Sequence, residues 1–210
     1  MEFWSEALTR ASWSKLVELH KKYDFIIIGG WAAFLWTGKH KSKDIDIVVS
    51  YGTLAKLQSE FLLEKNDRLK KYEIKTEDFD IDIYVPHYSV LAIPAEELQK
   101  LATKLHGMKT VVPEALLILK QGAEVERRDA VKGMKDSIDI LTLLAFTDID
   151  LKKYAGLLKK YKKERYLHEL LQILANFSDK DIKYLGMDFR KFKKWKHEIV
   201  VKIKALANNF

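Results

Sequence analysis

The run Phe25-Ile26-Ile27-Ile28-Gly29-Gly30, followed after 13 residues by Asp44-Ile45-Asp46-Ile47-Val48-Val49, decides how this chain folds. Large apolar residues, three of them β-branched, stop at a diglycine; this reads as a short buried strand that turns sharply into the next element. Trp31 to Trp36 is apolar throughout and reads as a buried helix, and Lys39 to Lys43 as a polar loop. Asp44 to Val49 alternates with period two before turning wholly apolar, which marks a second strand with one polar end. Asp44 and Asp46 then share one face of that strand, roughly 7 Å apart along it.

On the N-terminal side, residues 5–22 read as a helix, with Ser5 as its cap and Leu8, Ala11, Leu16 and Leu19 near helical spacing. On the C-terminal side, Gly52 to Lys65 reads as a helix. Tyr72–Lys75 and Phe79–Val85 alternate around Thr76-Glu77-Asp78, which predicts a hairpin whose second strand sets Asp80 and Asp82 on one face. Pro86 and Pro94 bracket a loop, residues 95–105 look helical, and Lys109–Val112 forms a last short strand ended by Pro113. Beyond it the pattern is helical over 114–127, 132–146, 151–162, 164–177, 179–185 and 189–207. The expectation is an α+β chain: a small mixed β-sheet with flanking helices over residues 1–112, then a basic α-helical bundle over residues 113–210.

Composition narrows the function classes. The 210 residues are 48% hydrophobic and 32% charged with 9 Gly and 3 Pro, which excludes collagen-like and disordered chains. The absence of Cys removes disulfides, thiolate metal centres and a Cys nucleophile. The six His never fall at His-x-x-x-His spacing, and no Gly-x-Ser-x-Gly occurs. Phe25 to Trp36, the longest apolar stretch, is too short to span a bilayer, and Met1 to Glu6 lacks the basic-then-apolar order of a signal peptide. A cytoplasmic protein with no membrane partner is therefore expected. Residues 150–210 hold 16 Lys/Arg against 7 Asp/Glu, while residues 1–149 hold 21 against 23. Such asymmetry suits a polyanionic partner; Lys-rich helix faces bathed in solvent are the simpler reading.

Like charges repel, and strands disfavour Asp. A water-screened sheet face accounts for one Asp-x-Asp pair. Two pairs, each beside an Ile/Val run, suit a hard, oxygen-loving cation such as Mg²⁺ or Mn²⁺, and carboxylates that hold two such ions promote in-line displacement at phosphorus. A diglycine between strand and helix lets backbone approach a phosphate, although many such corners serve packing alone. It is neither a P-loop nor a Gly-x-Gly-x-x-Gly motif.

Ile28-Gly29-Gly30, the 13-residue spacing, Asp44-Ile45-Asp46 and a later strand acid together resemble the nucleotidyltransferase superfamily whose best-known member is DNA polymerase β. The resemblance covers roughly residues 23–86. It implies that Gly29 and Gly30 hold a nucleoside triphosphate, that Ser42 and the adjoining Lys43 lie on the nucleotide side, and that Asp44, Asp46 and a third acid bind the divalent metal ions. Asp80 and Asp82 compete for the third place; Asp82 is preferred because Ile83-Tyr84-Val85 follows it directly. Leu116 to Ala123, Arg127-Arg128 and Lys135-Asp136-Ser137-Ile138-Asp139-Ile140-Leu141 resemble a prokaryotic subgroup related to abortive-infection toxins. That resemblance implies that Lys120 and Asp136, with Asp139 as the alternative, complete the active site. Read as residues alone, Lys120 is a snorkelling side chain and Asp136 pairs with Lys132.

The implied activity is metal-dependent transfer of a nucleoside monophosphate to an acceptor hydroxyl. RNA, such as a tRNA end, would be met by Lys159, Lys160, Lys162, Lys163 and Arg165 and by Lys191, Lys193, Lys194 and Lys196. A partner protein, as in a toxin–antitoxin pair, and a small molecule such as an aminoglycoside are rival acceptors. The alternative is a catalytically degenerate module that binds a nucleotide or a partner.

Overall fold

The computed structural model describes residues 2–207; Met1 and residues 208–210, which the expected domains include, lie outside them. The chain divides into two compact units, Glu2–Val112 and one that begins at Pro113.

The first unit is a seven-stranded mixed sheet with helices. Its strands are β1 (Ile26–Ile28), β2 (Ile45–Val48), β3 (Glu64–Asn66), β4 (Lys71–Lys75), β5 (Asp80–Tyr84), β6 (Ala102–Leu105) and β7 (Met108–Val111). Their order across the sheet is β3-β4-β5-β2-β1-β7-β6. β1 runs antiparallel to β2 and parallel to β7, and β2 runs parallel to β5. Ile27, Ile45, Ile47, Ile81 and Ile83 are fully buried, so the alternation legible in the sequence becomes one apolar sheet face.

The helices of this unit are α1 (Glu6–Lys22), α2 (Gly29–Thr37) and α3 (Tyr51–Glu60). α1 buries Leu16 and Leu19. The indole N–H of Trp31 in α2 donates to Ser12 Oγ of α1 at 3.2 Å, and that hydroxyl lies 3.1 Å from the carbonyl of Ser42. Ser50 caps α3 by accepting the Thr53 N–H at 3.1 Å.

Two segments expected as helix are strand. α3 ends at Glu60 because Phe61 is extended, and Glu64–Asn66 pairs with β4 instead of extending the helix to Lys65. Residues 95–101 form a 3-10 helix, and Ala102–Leu105 then pairs with β7. His106 and Gly107 join these two strands with both φ angles positive, the backbone of a two-residue hairpin loop. In both cases strand pairing overrides helical propensity.

The second unit is helical: α4 (Pro113–Arg127), α5 (Val131–Phe146), α6 (Leu151–Lys160), α7 (Tyr166–Asn176), α8 (Ile182–Leu185) and α9 (Phe189–Ala207), with a 3-10 turn at Asp179–Asp181. Leu116, Leu117, Ile138, Leu141, Leu158, Leu170, Leu174 and Ile203 fill its core. Gln121 is a polar lock in that core: it accepts from the Tyr154 hydroxyl at 2.6 Å and donates to the Tyr166 carbonyl at 2.8 Å. Among the described residues no helix is long and apolar enough to cross a membrane.

Candidate active site

Residues opposite one another in a strand ladder put their side chains on the same sheet face. Ile28 lies opposite Asp46, Asp46 opposite Asp82, Asp82 opposite Glu73, and Glu73 opposite Glu64. Four carboxylates therefore stand in one row across β2, β5, β4 and β3, on the face opposite the buried Ile side chains. Asp80 sits one row away, opposite Lys75. Asp44 lies just before β2, and its Oδ1 accepts the backbone N–H of Asp80 at 3.3 Å. Of the two acids competing for the third place, Asp82 is the one that faces Asp46.

The diglycine corner closes against this row. Gly29 has φ +66°, and a Cβ there would stand 2.1 Å from Asp46 Oδ2. A Cβ on Gly30 would stand 2.5 Å from Ser42 Oγ. Both glycines are therefore required on steric grounds, one by conformation and contact together. The other Asp46 oxygen, Oδ1, lies 3.4 Å from the Tyr84 hydroxyl. Ser42 is buried, and its hydroxyl donates to the Asp44 carbonyl at 2.9 Å, so it braces the chain entering β2. Lys43 is half-buried in the bend between Ser42 and Asp44.

Asp82 is a strongly perturbed carboxyl of the row. Burial, and then the Asp46 charge, push its pKa up to about 7 against the attraction of Lys71. Lys71 Nζ lies 2.6 Å from Asp82 Oδ2 and 2.8 Å from Glu73 Oε1. Burial works against the Lys71 charge, but Asp82 and Glu73 outweigh it and hold its pKa above the ordinary lysine range. Burial likewise raises Glu73, yet Lys71 and then Asn66 overrule it and hold Glu73 below the ordinary carboxylate range. The Asn66 amide donates to Glu73 Oε2 at 3.2 Å. Asp82 Oδ1 is buried and has no hydrogen-bond partner.

Among the described residues no three His, Asp or Glu side chains form a group that could hold a metal ion. The Asp46–Asp82 pair nonetheless suits a hard cation by its chemistry. Both donors are oxygens on adjacent strands, their charges repel, and one buried oxygen, Asp82 Oδ1, lacks a proton donor.

Sequence reasoning missed Lys71 and Glu73. Tyr72 and Ile74 alternate with them, which is the signal that they lie on the opposite face from the apolar residues. Which strand they would meet depends on register, which the local pattern does not carry.

In the second unit, Lys120 and Asp136 are brought together and buried, at 5% and 1% exposure. Lys120 Nζ lies 3.0 Å from Asp136 Oδ1 and 2.7 Å from Asp139 Oδ2. Arg127 Nε reaches Asp136 Oδ2 at 2.7 Å, and Lys135 pairs with Asp139. Burial drives the Lys135 pKa down, while Lys120 and Lys135 hold Asp139 low despite its burial. Lys120 is thus no snorkelling surface residue; its cluster clamps α4 to α5. Asp136, the acid that the resemblance sets beside Lys120 in the active site, and its alternative Asp139 both contact Lys120.

The same unit presents its bases to solvent. Lys159, Lys160, Lys162 and Arg165 are exposed, as are Lys191, Lys193 and Lys194 of α9, while Lys163 and Lys196 are half-buried. Several ride on aromatic rings: Lys160 Nζ is 4.9 Å from the Tyr161 centroid, and Lys193 Nζ is 4.3 Å from that of Phe189.

No protein-family model matches this chain. No curated protein matches it either. Among solved structures it is similar to an antigenic nucleotidyltransferase-like protein from Paracoccidioides brasiliensis, at 18% identity and a TM-score of 0.41, over 74% of this chain and 89% of that one. It is similar to JHP933 from Helicobacter pylori at 17% identity and a TM-score of 0.49, over 98% and 94% of the two chains. It is also similar to an H. pylori protein described provisionally as a nucleotidyltransferase, at 15% identity and a TM-score of 0.48, over 98% and 97%.

Proposed function

We propose that this chain is a metal-dependent nucleotidyltransferase that moves a nucleoside monophosphate from a nucleoside triphosphate to an acceptor hydroxyl. The observation that carries the reading is Asp46 standing opposite Asp82 on a polar sheet face that the Gly29-Gly30 corner closes. Asp46 and Asp82 would hold Mg²⁺ or Mn²⁺, which when bound would neutralise charge on the phosphoryl and leaving oxygens, and Asp44, whose Oδ1 accepts the Asp80 N–H, would add its charge beside them.

The chain's own groups supply the rest. The first backbone N–H groups of α2 have no partner within the helix and suit triphosphate oxygens. Gly29 and Gly30 bring this backbone directly against the Asp46 and Ser42 side chains, which sets the helix start beside the acids. Ser42 and Lys43 flank the entry to β2, with Ser42 holding the Asp44 backbone in place. Asp82, a carboxyl lifted to about 7 beside Asp46, would take the proton of the attacking hydroxyl. The hydroxyl oxygen bonds to the α-phosphorus, the bond to the bridging oxygen breaks, and pyrophosphate leaves with that electron pair. In the helical unit, Asp136 and Asp139 already meet the Lys120 charge, which supports a holding role for that cluster.

RNA is the acceptor class that the charge favours. Residues 150–210 carry 16 basic against 7 acidic residues, and the basic side chains are interleaved with Tyr161 and Phe189. The test is incubation of each labelled nucleoside triphosphate with Mg²⁺ and either total RNA or total cell protein, beside Asp46→Asn. Label entering RNA only with the wild type is expected. Label entering protein would move the acceptor to a partner such as an antitoxin. Nucleotide binding with no transfer to either would favour the degenerate module, and transfer undiminished in Asp46→Asn would remove the mechanism.

A further inference from the structure

We infer that Lys71 is a resident counter-ion that takes the place of one divalent cation beside Asp82, so that the strand face takes up a single Mg²⁺ or Mn²⁺ instead of two. The inference rests on the proposed nucleotidyl transfer and names how the same site is charged. Lys71 opens β4, the strand next to β5, and its ammonium bridges Asp82 Oδ2 and Glu73 Oε1. Its side chain is only 11% exposed, and those of its two partners are 14% and 12% exposed. A lysine surrenders much of its hydration in such a place, and it persists there because two carboxylates answer it.

Charge counting makes the consequence concrete. Asp46, Asp82 and Glu73 contribute three negative charges to the row, Asp44 adds a fourth beside it, and Lys71 cancels one of them. Lys71 thus answers charge that a second divalent ion at Asp82 would otherwise take up. A second divalent ion at Asp82 would have to displace an ammonium already within contact distance of Oδ2. Glu64, the last acid of the row, is answered by Lys75 at 3.2 Å and adds nothing to this balance. The oxygen that Lys71 leaves open is Oδ1, the one without a partner. Lys71 is therefore a positioning residue: it acts through Asp82 and sets how many ions the acids accept.

Direct titration of the protein with Mn²⁺ alone, followed by electron paramagnetic resonance of the free ion, reads this without any turnover. The wild type is expected to saturate with one Mn²⁺. Lys71→Met, or Lys71→Ala should the longer side chain prevent folding, is expected to take up a second ion, whereas Lys71→Arg keeps the wild-type count. Two ions on the wild type, or a neutral Lys71 variant that holds the same number as the wild type, overturns the inference and leaves the proposed transfer standing. No Mn²⁺ bound by the wild type strikes the proposed function itself. If neither neutral variant folds, the wild-type count decides.

Discussion

Replacing Asp82 with Asn should stabilise the protein above neutral pH and leave it unchanged near pH 4. An ordinary Asp loses its proton near pH 3.9. In the folded chain burial, and then Asp46, lift Asp82 to about 7. Between these two values the native state holds a proton that the unfolded state has released. Stability therefore falls as pH rises across that window and levels off beyond it. About 3 pKa units at about 1.36 kcal/mol each set a ceiling of about 4 kcal/mol. The attraction of Lys71 is already contained in the native value, and Lys71 keeps Glu73 when Asp82 becomes Asn. Urea denaturation in a metal chelator, run on both proteins from about pH 4 to about pH 8, measures the difference and cancels the titrating groups that do not interact with Asp82. The advantage of Asp82→Asn should widen by about 2–4 kcal/mol across the window. A gap that stays constant with pH, or one that favours the wild type above neutrality, refutes the claim that Asp82 is buried at an electrostatic cost.

Gly29→Ala should cost about 2 kcal/mol or more, since it joins a left-handed backbone to a Cβ overlapping Asp46 Oδ2; a loss below about 1 kcal/mol in chemical denaturation would contradict the contact. Lys120→Met should cost about 3–5 kcal/mol, because it strips one cation from two buried acids; near-wild-type stability would show that Arg127 and Lys135 suffice alone. Affinity for RNA should fall steeply with salt, and changing Lys191, Lys193 and Lys194 to Gln should lower the slope of log K against log salt by about 2; an unchanged slope would place the RNA elsewhere.

What the sequence disclosed follows the range of each interaction. The strand IDIV and the strand DIDIY were legible because period-two alternation is local, and the helices from α4 onward because apolar spacing recurs within a turn or two. β3 and β6 were hidden because each is short and owes its strand state to one neighbour, β4 or β7. The face bearing Asp46 and Asp82 could be expected from spacing. That Asp82 rather than Asp80 lies opposite Asp46 is a property of the parallel register between β2 and β5, which local pattern does not encode. Lys71 escaped notice for the same reason: its chemistry comes from an acid on the next strand. The pairing of Lys120 with Asp136 spans two helices, so helical periodicity alone pointed Asp136 toward its own helix instead.

The alternation of Asp with Ile has a consequence beyond chemistry. Segments such as IDIV and DIDIY would, with Val in place of Asp, become unbroken stretches of the kind that stack between chains into fibrils. Before these strands find their neighbours, one Asp in IDIV and two in DIDIY interrupt the apolar run and repel a second copy of the same segment. The charges that strain the finished sheet thus protect the nascent chain from self-association, and a mutant relieved of them would trade that protection for a calmer native state.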